Sequence, residues 1–213
     1  MDLFAHKIIP VVIIHDTADA EPLAQALIAG GLPIAEVTFR TAAAAESIEI
    51  MSEIDGITVG AGTVLTPEQV EIATEAGAQF FVSPGLRPDV VREAQVSGRP
   101  ILPGAVTPGE IMQAQSMSIE TVKFFPANLY GGAAGIKALA APFTTMKFVP
   151  TGGVSPQNLD EYLSLPYVPA VGGSWMVPAT LIDDRRFDEI TALCRQAAEL
   201  AAPYRAADDG DAA

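Results

Sequence analysis

A lysine stands in the middle of a short apolar run, Thr121-Val122-Lys123-Phe124-Phe125-Pro126-Ala127, that reads as a buried β-strand. Desolvating an ammonium is costly, and the run offers it no obvious counter-ion, so Lys123 is expected to shed its proton. A neutral amine is a nucleophile and forms Schiff bases with carbonyl compounds. The alternative is an amphipathic arrangement in which the stem is buried and the ammonium reaches water.

Other polar residues cluster at the ends of strand-like segments. In Glu36-Val37-Thr38-Phe39-Arg40-Thr41 the period of two puts Glu36, Thr38 and Arg40 on one face and Val37 and Phe39 on the other. The backbones of Glu36 and Arg40 would lie roughly 13 Å apart along an extended strand, so the two could address one ligand from below and above. Gly60-Ala61-Gly62-Thr63 admits close approach of a ligand or a second backbone and ends in a hydroxyl, and Ser83-Pro84-Gly85 reads as a turn. Pro150-Thr151-Gly152-Gly153-Val154 and Gly172-Gly173-Ser174-Trp175 each carry paired glycines beside a hydroxyl donor, Thr151 or Ser174. Such pairs free the backbone to turn N–H groups toward an anion, and phosphate is the anion expected there.

These groups need a scaffold that brings strand ends together. Eight strand-like segments recur, at residues 8–15, 34–40, 57–64, 80–85, 101–106, 121–127, 146–153 and 169–176, with starts 20 to 26 residues apart. That spacing holds one strand, one helix and two short loops. Helix starts are marked by Thr66-Pro67, Thr107-Pro108 and Ser155-Pro156, each a capping hydroxyl followed by a proline, and helix ends by Gly30, Gly77 and Gly98. No G-x-G-x-x-G fingerprint opens the first unit, and the count of eight matches ring closure. The expected fold is a single-domain α/β protein, a (β/α)8 TIM barrel over residues 1–205, with a frayed acidic tail over 206–213.

Composition narrows the function classes. With 213 residues, 49% hydrophobic, and a positive mean hydropathy, the chain can bury one sizeable core. A formal charge of −14 opposes nucleic acid and anionic membrane surfaces as partners. No apolar run reaches the length of a membrane span and the first residues lack the order of a signal peptide, so a cytoplasmic location is expected. The lone cysteine, Cys194, sits among Ile190, Leu193, Ala197 and Ala201 on an apolar helix stripe and should pack in the core. With only His6 and His15 and no Cys/His cluster, neither a metal nor another cofactor is expected.

Taken together, the Glu36–Thr41 and Gly60–Val64 blocks, Ser83-Pro84-Gly85, Lys123-Phe124-Phe125-Pro126-Ala127, Pro150-Thr151-Gly152-Gly153 and Gly172-Gly173-Ser174-Trp175 resemble the 2-dehydro-3-deoxy-phosphogluconate/4-hydroxy-2-oxoglutarate aldolase family. The likeness runs in order from about residue 8 to residue 200. It implies a class I, metal-independent aldolase on a (β/α)8 barrel, usually a homotrimer. Its substrate would be a 2-keto-3-deoxy acid phosphate, cleaved to pyruvate and glyceraldehyde 3-phosphate, with 4-hydroxy-2-oxoglutarate as a second candidate. By the same resemblance Lys123 forms the Schiff base, Glu36 shuttles protons, and Arg40 and Thr63 hold the pyruvate carboxylate. Gly152, Gly153, Gly173 and Ser174 match the phosphate site, and Pro84, Phe125 and Thr151 complete the substrate-binding set. The Lys-Phe-Phe-Pro, Pro-Thr-Gly-Gly and Gly-Gly-Ser-Trp forms look more like the phosphogluconate branch than the phosphogalactonate branch.

Two features depart from the family pattern. Only Met1 to Lys7 precede the first strand, which leaves the cover of the barrel floor in question, and the Asp-rich extension follows Arg205. Rival readings are a barrel that isomerises or carries a sugar phosphate with Lys123 merely paired to an anion, and a binding or scaffold barrel without turnover. Neither requires an un-ionised amine.

Overall fold

Strict alternation of side chains sorts each strand into an inner and an outer face, and this sorting organises the fold. The computed structural model describes residues 2–209, with side chains described through residue 205. Eight strands are present: β1 (Ile8–Val12), β2 (Ile34–Thr38), β3 (Thr58–Gly62), β4 (Phe81–Val82), β5 (Ile101–Leu102), β6 (Thr121–Phe124), β7 (Lys147–Pro150) and β8 (Val171–Gly173). Each falls inside one of the eight expected segments and stops short of its end. The residues left over, rich in glycine, proline and threonine, turn into the loops that follow.

Helices α1 (Ala20–Ala29), α2 (Ala44–Ser52), α3 (Pro67–Glu75), α4 (Pro88–Val96), α5 (Pro108–Ser116), α6 (Gly132–Ala140) and α7 (Leu159–Leu163) separate successive strands. After β8 come α8 (Ala179–Asp183) and α9 (Phe187–Asp209). All strand pairs are parallel. Six strands form one sheet in the order β5-β4-β3-β2-β1-β8, and β6 and β7 form a second. Single parallel bridges at Gly104–Lys123 and Thr151–Gly172 link the two. The core of the architecture is therefore an α/β fold on a curved parallel half-barrel.

Outward residues such as Ile8, Val12, Val37, Val122, Phe124, Phe148 and Val171 join the helices in one large apolar cluster. Inward residues Ile9, Ile34, Phe80, Val82, Leu102 and Val149 form a smaller second cluster. Leu3 belongs to it and Phe4 packs against it, so the short segment before β1 does cover the floor of the sheet. Above this apolar floor the next inward residues are Glu36 and Lys123.

Two of the three cap readings hold. Thr66 Oγ1 accepts from the Gln69 N–H at 3.3 Å, and Thr107 with Glu110 forms a reciprocal capping box. The third does not: residues 155–158 form a turn and α7 starts after Asn158, whose Oδ1 accepts from the Ser155 N–H at 2.8 Å. Asn158 makes no side-chain cap bond to the helix; its amide instead closes the turn before it, accepting from Ser155 and donating to Gly153 O. The end of α1 falls where it was read: the helix stops at Ala29 with Gly30 as its C-cap, and Gly31 takes the left-handed conformation (φ 77°). A Cβ on Gly30 would lie 2.4 Å from that of Cys194 on α9, so close helix packing also requires glycine there. Cys194 is fully buried, as expected, and burial pushes its thiol up to about 12, which keeps it unreactive. Helix α9 carries the chain into the acidic extension as far as Asp209, and the expected frayed terminus beyond it lies outside the described residues.

His6, at the floor, lies below the ordinary imidazole value of 6.5, first because of burial and then because of Arg205, with Asp2 opposing weakly. The neutral ring is thus the folded form, and below about pH 6.5 the unfolded chain binds a proton that the folded chain refuses. Stability should be full above that pH and decline as pH falls through it. Urea midpoints at about pH 7.5 and about pH 5.5 should therefore separate more in the parent chain than in His6→Gln; equal separations would remove His6 from the acid response.

Candidate active site

Glu36 enters from the centre of β2 and Lys123 from β6, and both point to the inner face. Lys123 Nζ donates to Glu36 Oε1 at 3.1 Å, with the two residues 5% and 3% exposed. This corrects the expectation of an ammonium with no counter-ion: the partner lies 87 residues away in the chain and meets the lysine only across the sheet. The amphipathic alternative, with the head in water, is excluded by the same burial. A matched pair lowers the cost of holding either charge in a dry interior, since each group supplies what the other loses in water. The Phe125 ring centroid lies 5.4 Å from Nζ and gives the amine a second, weaker partner on its open side.

Beside the pair is a cavity of about 160 Å³ lined by Arg40, Phe125, Thr151, Gly152, Gly153, Gly172, Gly173 and Ser174, with Val11, Ile13 and Val154 as its apolar walls. Seven of the eleven expected site residues line it. Lys123 and Glu36 are not among its lining residues; Phe125, which is, has its ring centroid 5.4 Å from Nζ. Thr63 touches it through Arg40, whose Nε donates to Thr63 Oγ1 at 3.3 Å. Pro84 is not brought in. It lines a separate hollow with Val64, Leu65, Leu86, Arg87 and Glu110, and its carbonyl lies where a Gly104 Cβ would stand.

The loops are set by backbone that ordinary residues avoid. Thr63 has φ 56°, a conformation that costs a β-branched residue on the order of 1–3 kcal/mol. Bonds on either side hold it there, from Phe39 N–H to Gly62 O at 2.8 Å and from Val64 N–H to Val82 O at 3.1 Å. Gly152 and Gly153 both have positive φ (91° and 76°), a backbone that glycine adopts freely, whereas Gly172 and Gly173 are not among the positive-φ glycines. Three features of these loops were missed in the sequence. Asn158 Nδ2 donates to Gly153 O at 2.9 Å and ties the turn to α7. The Asn128 side chain fills the space where a Gly153 Cβ would stand, and the Trp175 indole covers Gly173 at a distance no side chain could share. The Gly-Gly-Ser-Trp order was the available signal for Trp175; Asn158 had none beyond its spacing from Ser155.

Among the described residues no group of three His, Cys, Asp or Glu could hold a metal ion, and no helix is long and apolar enough to cross a membrane. What the arrangement offers is a buried amine with an acid in hydrogen-bond contact, a cation at the cavity mouth and a glycine-rich wall with hydroxyl donors. Those are the parts of covalent amine catalysis on an anionic carbonyl compound.

Comparison with known proteins gives the same picture. The family model for KDPG and KHG aldolases matches residues 2–193. The 2-dehydro-3-deoxy-phosphogluconate aldolase of Treponema pallidum is 51% identical over 195 residues, covering 91% of this chain and 93% of that protein. The KHG/KDPG aldolase of Escherichia coli K12 is 43% identical over 193 residues, 90% and 91% of the two chains. Among solved structures, a KDPG aldolase from Legionella pneumophila with pyruvate captured as a covalent carbinolamine superposes with a TM-score of 0.88 at 41% identity, covering 91% of this chain and 95% of that one.

Trp175 is the only tryptophan in the chain and lies on the glycine loop, so it should report an anion bound there. Titration with inorganic phosphate should give a saturable change in indole emission that Gly173→Ala abolishes. A flat titration in the parent chain would place the anion elsewhere.

Proposed function

The chain belongs to the KDPG and KHG aldolase family, and from that premise we propose that it is a class I aldolase cleaving 2-dehydro-3-deoxy-6-phosphogluconate to pyruvate and glyceraldehyde 3-phosphate. The observation that carries this reading is the buried Lys123–Glu36 hydrogen bond. The proton moves from Nζ to Oε1 along that bond and frees the nitrogen lone pair, so the carboxylate does the work first assigned to desolvation. The amine adds to the C2 ketone, and the carbinolamine loses water to give a protonated imine. The carbinolamine with pyruvate in the Legionella relative supports this step.

Glu36, once more a carboxylate, takes the proton of the C4 hydroxyl. The C3–C4 bond breaks, its electrons pass into an enamine, and glyceraldehyde 3-phosphate leaves. The same carboxyl then returns a proton to C3, and hydrolysis releases pyruvate and the lysine. Arg40, aimed by Thr63, holds the substrate carboxylate. The turn at Gly152 and Gly153, with Gly173, Ser174 and Thr151, holds the phosphate. At long range a chain of charge −14 repels such a substrate, so affinity must come from these short contacts. A scaffold barrel has no use for a carboxylate placed to accept the amine's proton, and an isomerase, which could use the carboxylate as a base, has no need of a covalent amine; the pyruvate adduct tells them apart.

The same reading includes closure of the sheet into a complete (β/α)8 ring. Two bridges support it, together with the bonds from Lys123 N–H to Pro103 O and from Ala105 N–H to Lys123 O, both at 2.9 Å. It also includes the family's homotrimer, for which exposed apolar side chains such as Met112 and Leu129 are available, and a cytoplasmic location.

Incubation with pyruvate followed by borohydride should fix one adduct on Lys123 and leave Lys7, Lys137 and Lys147 unmodified; an adduct on any other lysine would overturn the reading. Glu36→Gln should lower kcat about 10²- to 10⁴-fold while leaving an adduct that can still be trapped. Arg40→Lys should raise KM sharply, since a point charge does not replace a two-pronged donor. Comparing kcat/KM for the phosphogluconate-derived substrate and 4-hydroxy-2-oxoglutarate tests the branch, and the former should be favoured.

A further inference from the structure

The inner face of β3 carries no side chain at either of its last two inward positions, Gly60 and Gly62, and the two vacancies are filled from different places. A Cβ on Gly60 would lie 2.4 Å from the ring of Phe80, which belongs to the apolar floor. A Cβ on Gly62 would lie 2.4 Å from Oε1, 2.5 Å from Cγ and 2.8 Å from Cδ of Glu36. The Glu36 side chain therefore lies flat across the Cα of Gly62. In register Glu36 pairs with Gly60 and Thr38 with Gly62, so the side chain leans forward by two residues along the neighbouring strand. That lean brings Oε1 to 3.1 Å from Nζ of Lys123.

We propose that Gly62 is a positioning residue for the reaction: its missing side chain is the seat of the Glu36 carboxyl and sets that group's reach to Lys123. The inference rests on the aldolase reading above, in which Glu36 moves the protons. The three atoms nearest to a Gly62 Cβ all belong to Glu36. Gly62 is not among the glycines with positive φ, so an alanine meets no backbone strain there. The atoms it would displace belong to one flexible side chain, in contrast to Gly104, where a Cβ would meet the carbonyl of Pro84 at 2.1 Å. An added methyl at Gly62 thus acts first on the carboxyl, and any loss of stability should come through the Lys123–Glu36 pair rather than through the backbone. Gly62 also stands directly before Thr63, whose hydroxyl accepts from Arg40, so the last residue of β3 and the one after it meet one side chain of β2 and one of the loop that follows β2.

The test compares Gly62→Ala with Glu36→Gln, Glu36→Asp and the double variant Gly62→Ala/Glu36→Asp, with Gly109→Ala as a control at a glycine that faces open space. The readouts are thermal melting, the yield of the borohydride-trapped pyruvate adduct, kcat and KM for cleavage, and solvent exchange of the pyruvate methyl protons by NMR. Gly62→Ala should melt as a folded protein and still yield the adduct, while kcat and methyl exchange both fall about a hundredfold, the cost of misplacing a catalytic group by an ångström or so. Its KM should change little. The shorter carboxylate relieves the overlap, so the double variant should be no slower than Gly62→Ala alone.

Unchanged kcat in Gly62→Ala, a product of the two single losses in the double variant, or failure of Gly62→Ala to fold would each overturn the inference. In the last case the methyl would have displaced more than the carboxyl. Normal turnover in Glu36→Gln would instead remove the premise, the assignment of Glu36 itself, and the two failures are thereby told apart.

Discussion

One buried ion pair constrains the rest of the molecule. Lys123 and Glu36 are each costly to bury alone and tolerable together, and they face each other at 3.1 Å from strands that are not neighbours in the sheet. A pair of this kind survives only if the strands that carry it are held rigidly, because a small separation leaves two charges in a dry interior with no partner. The apolar floor of Ile9, Ile34, Phe80, Val82, Leu102 and Val149, closed from below by Leu3, supplies that rigidity and keeps water from entering from beneath. The same proximity makes the pair useful, since one short hydrogen bond is a path for a proton between a nucleophile and a base.

Above the pair the fold changes character. Strands end early, and the chain goes into turns built on glycine, proline and a strained threonine, with Arg40, Ser174 and the Gly152–Gly153 turn around an open cavity. Local strain at Thr63 is sustained by backbone bonds to two neighbouring strands, and the glycine turn is tied to α7 by Asn158. Rigid floor, buried pair and shaped rim are thus three layers of one structure, ordered from dry to wet. Substrate polarity follows the same order in the proposed reaction, with the carbonyl deep and the charged ends at the rim.

Much of this was legible in the chain. The alternation of Val37 and Phe39 against Glu36 assigned the inner and outer faces of β2 correctly, and Thr66 and Thr107 marked helix starts because cap, proline and acid are local in sequence. The failures are also instructive. Ser155 looked like a third cap, but Asn158 three residues on makes the stronger turn. Gly30 ends its helix as read, but the packing of Cys194 against it, from a helix far along the chain, was not legible. Pro84 matched a site motif, and the structure has it lining a different hollow from the glycine loops.

The sequence by itself determined the repeat of strands and helices, the face each strand residue occupies and the family, because these follow from periodicity, local hydrogen bonding and ordered motifs. Only the tertiary structure decided that the lysine has an acid for a partner, that a floor segment of a few residues suffices, and that Gly62 is where the carboxyl rests. Each of those facts is a contact between residues far apart in the chain. Curvature and register of the sheet place them together, and both are properties of the assembled strands that no one segment carries.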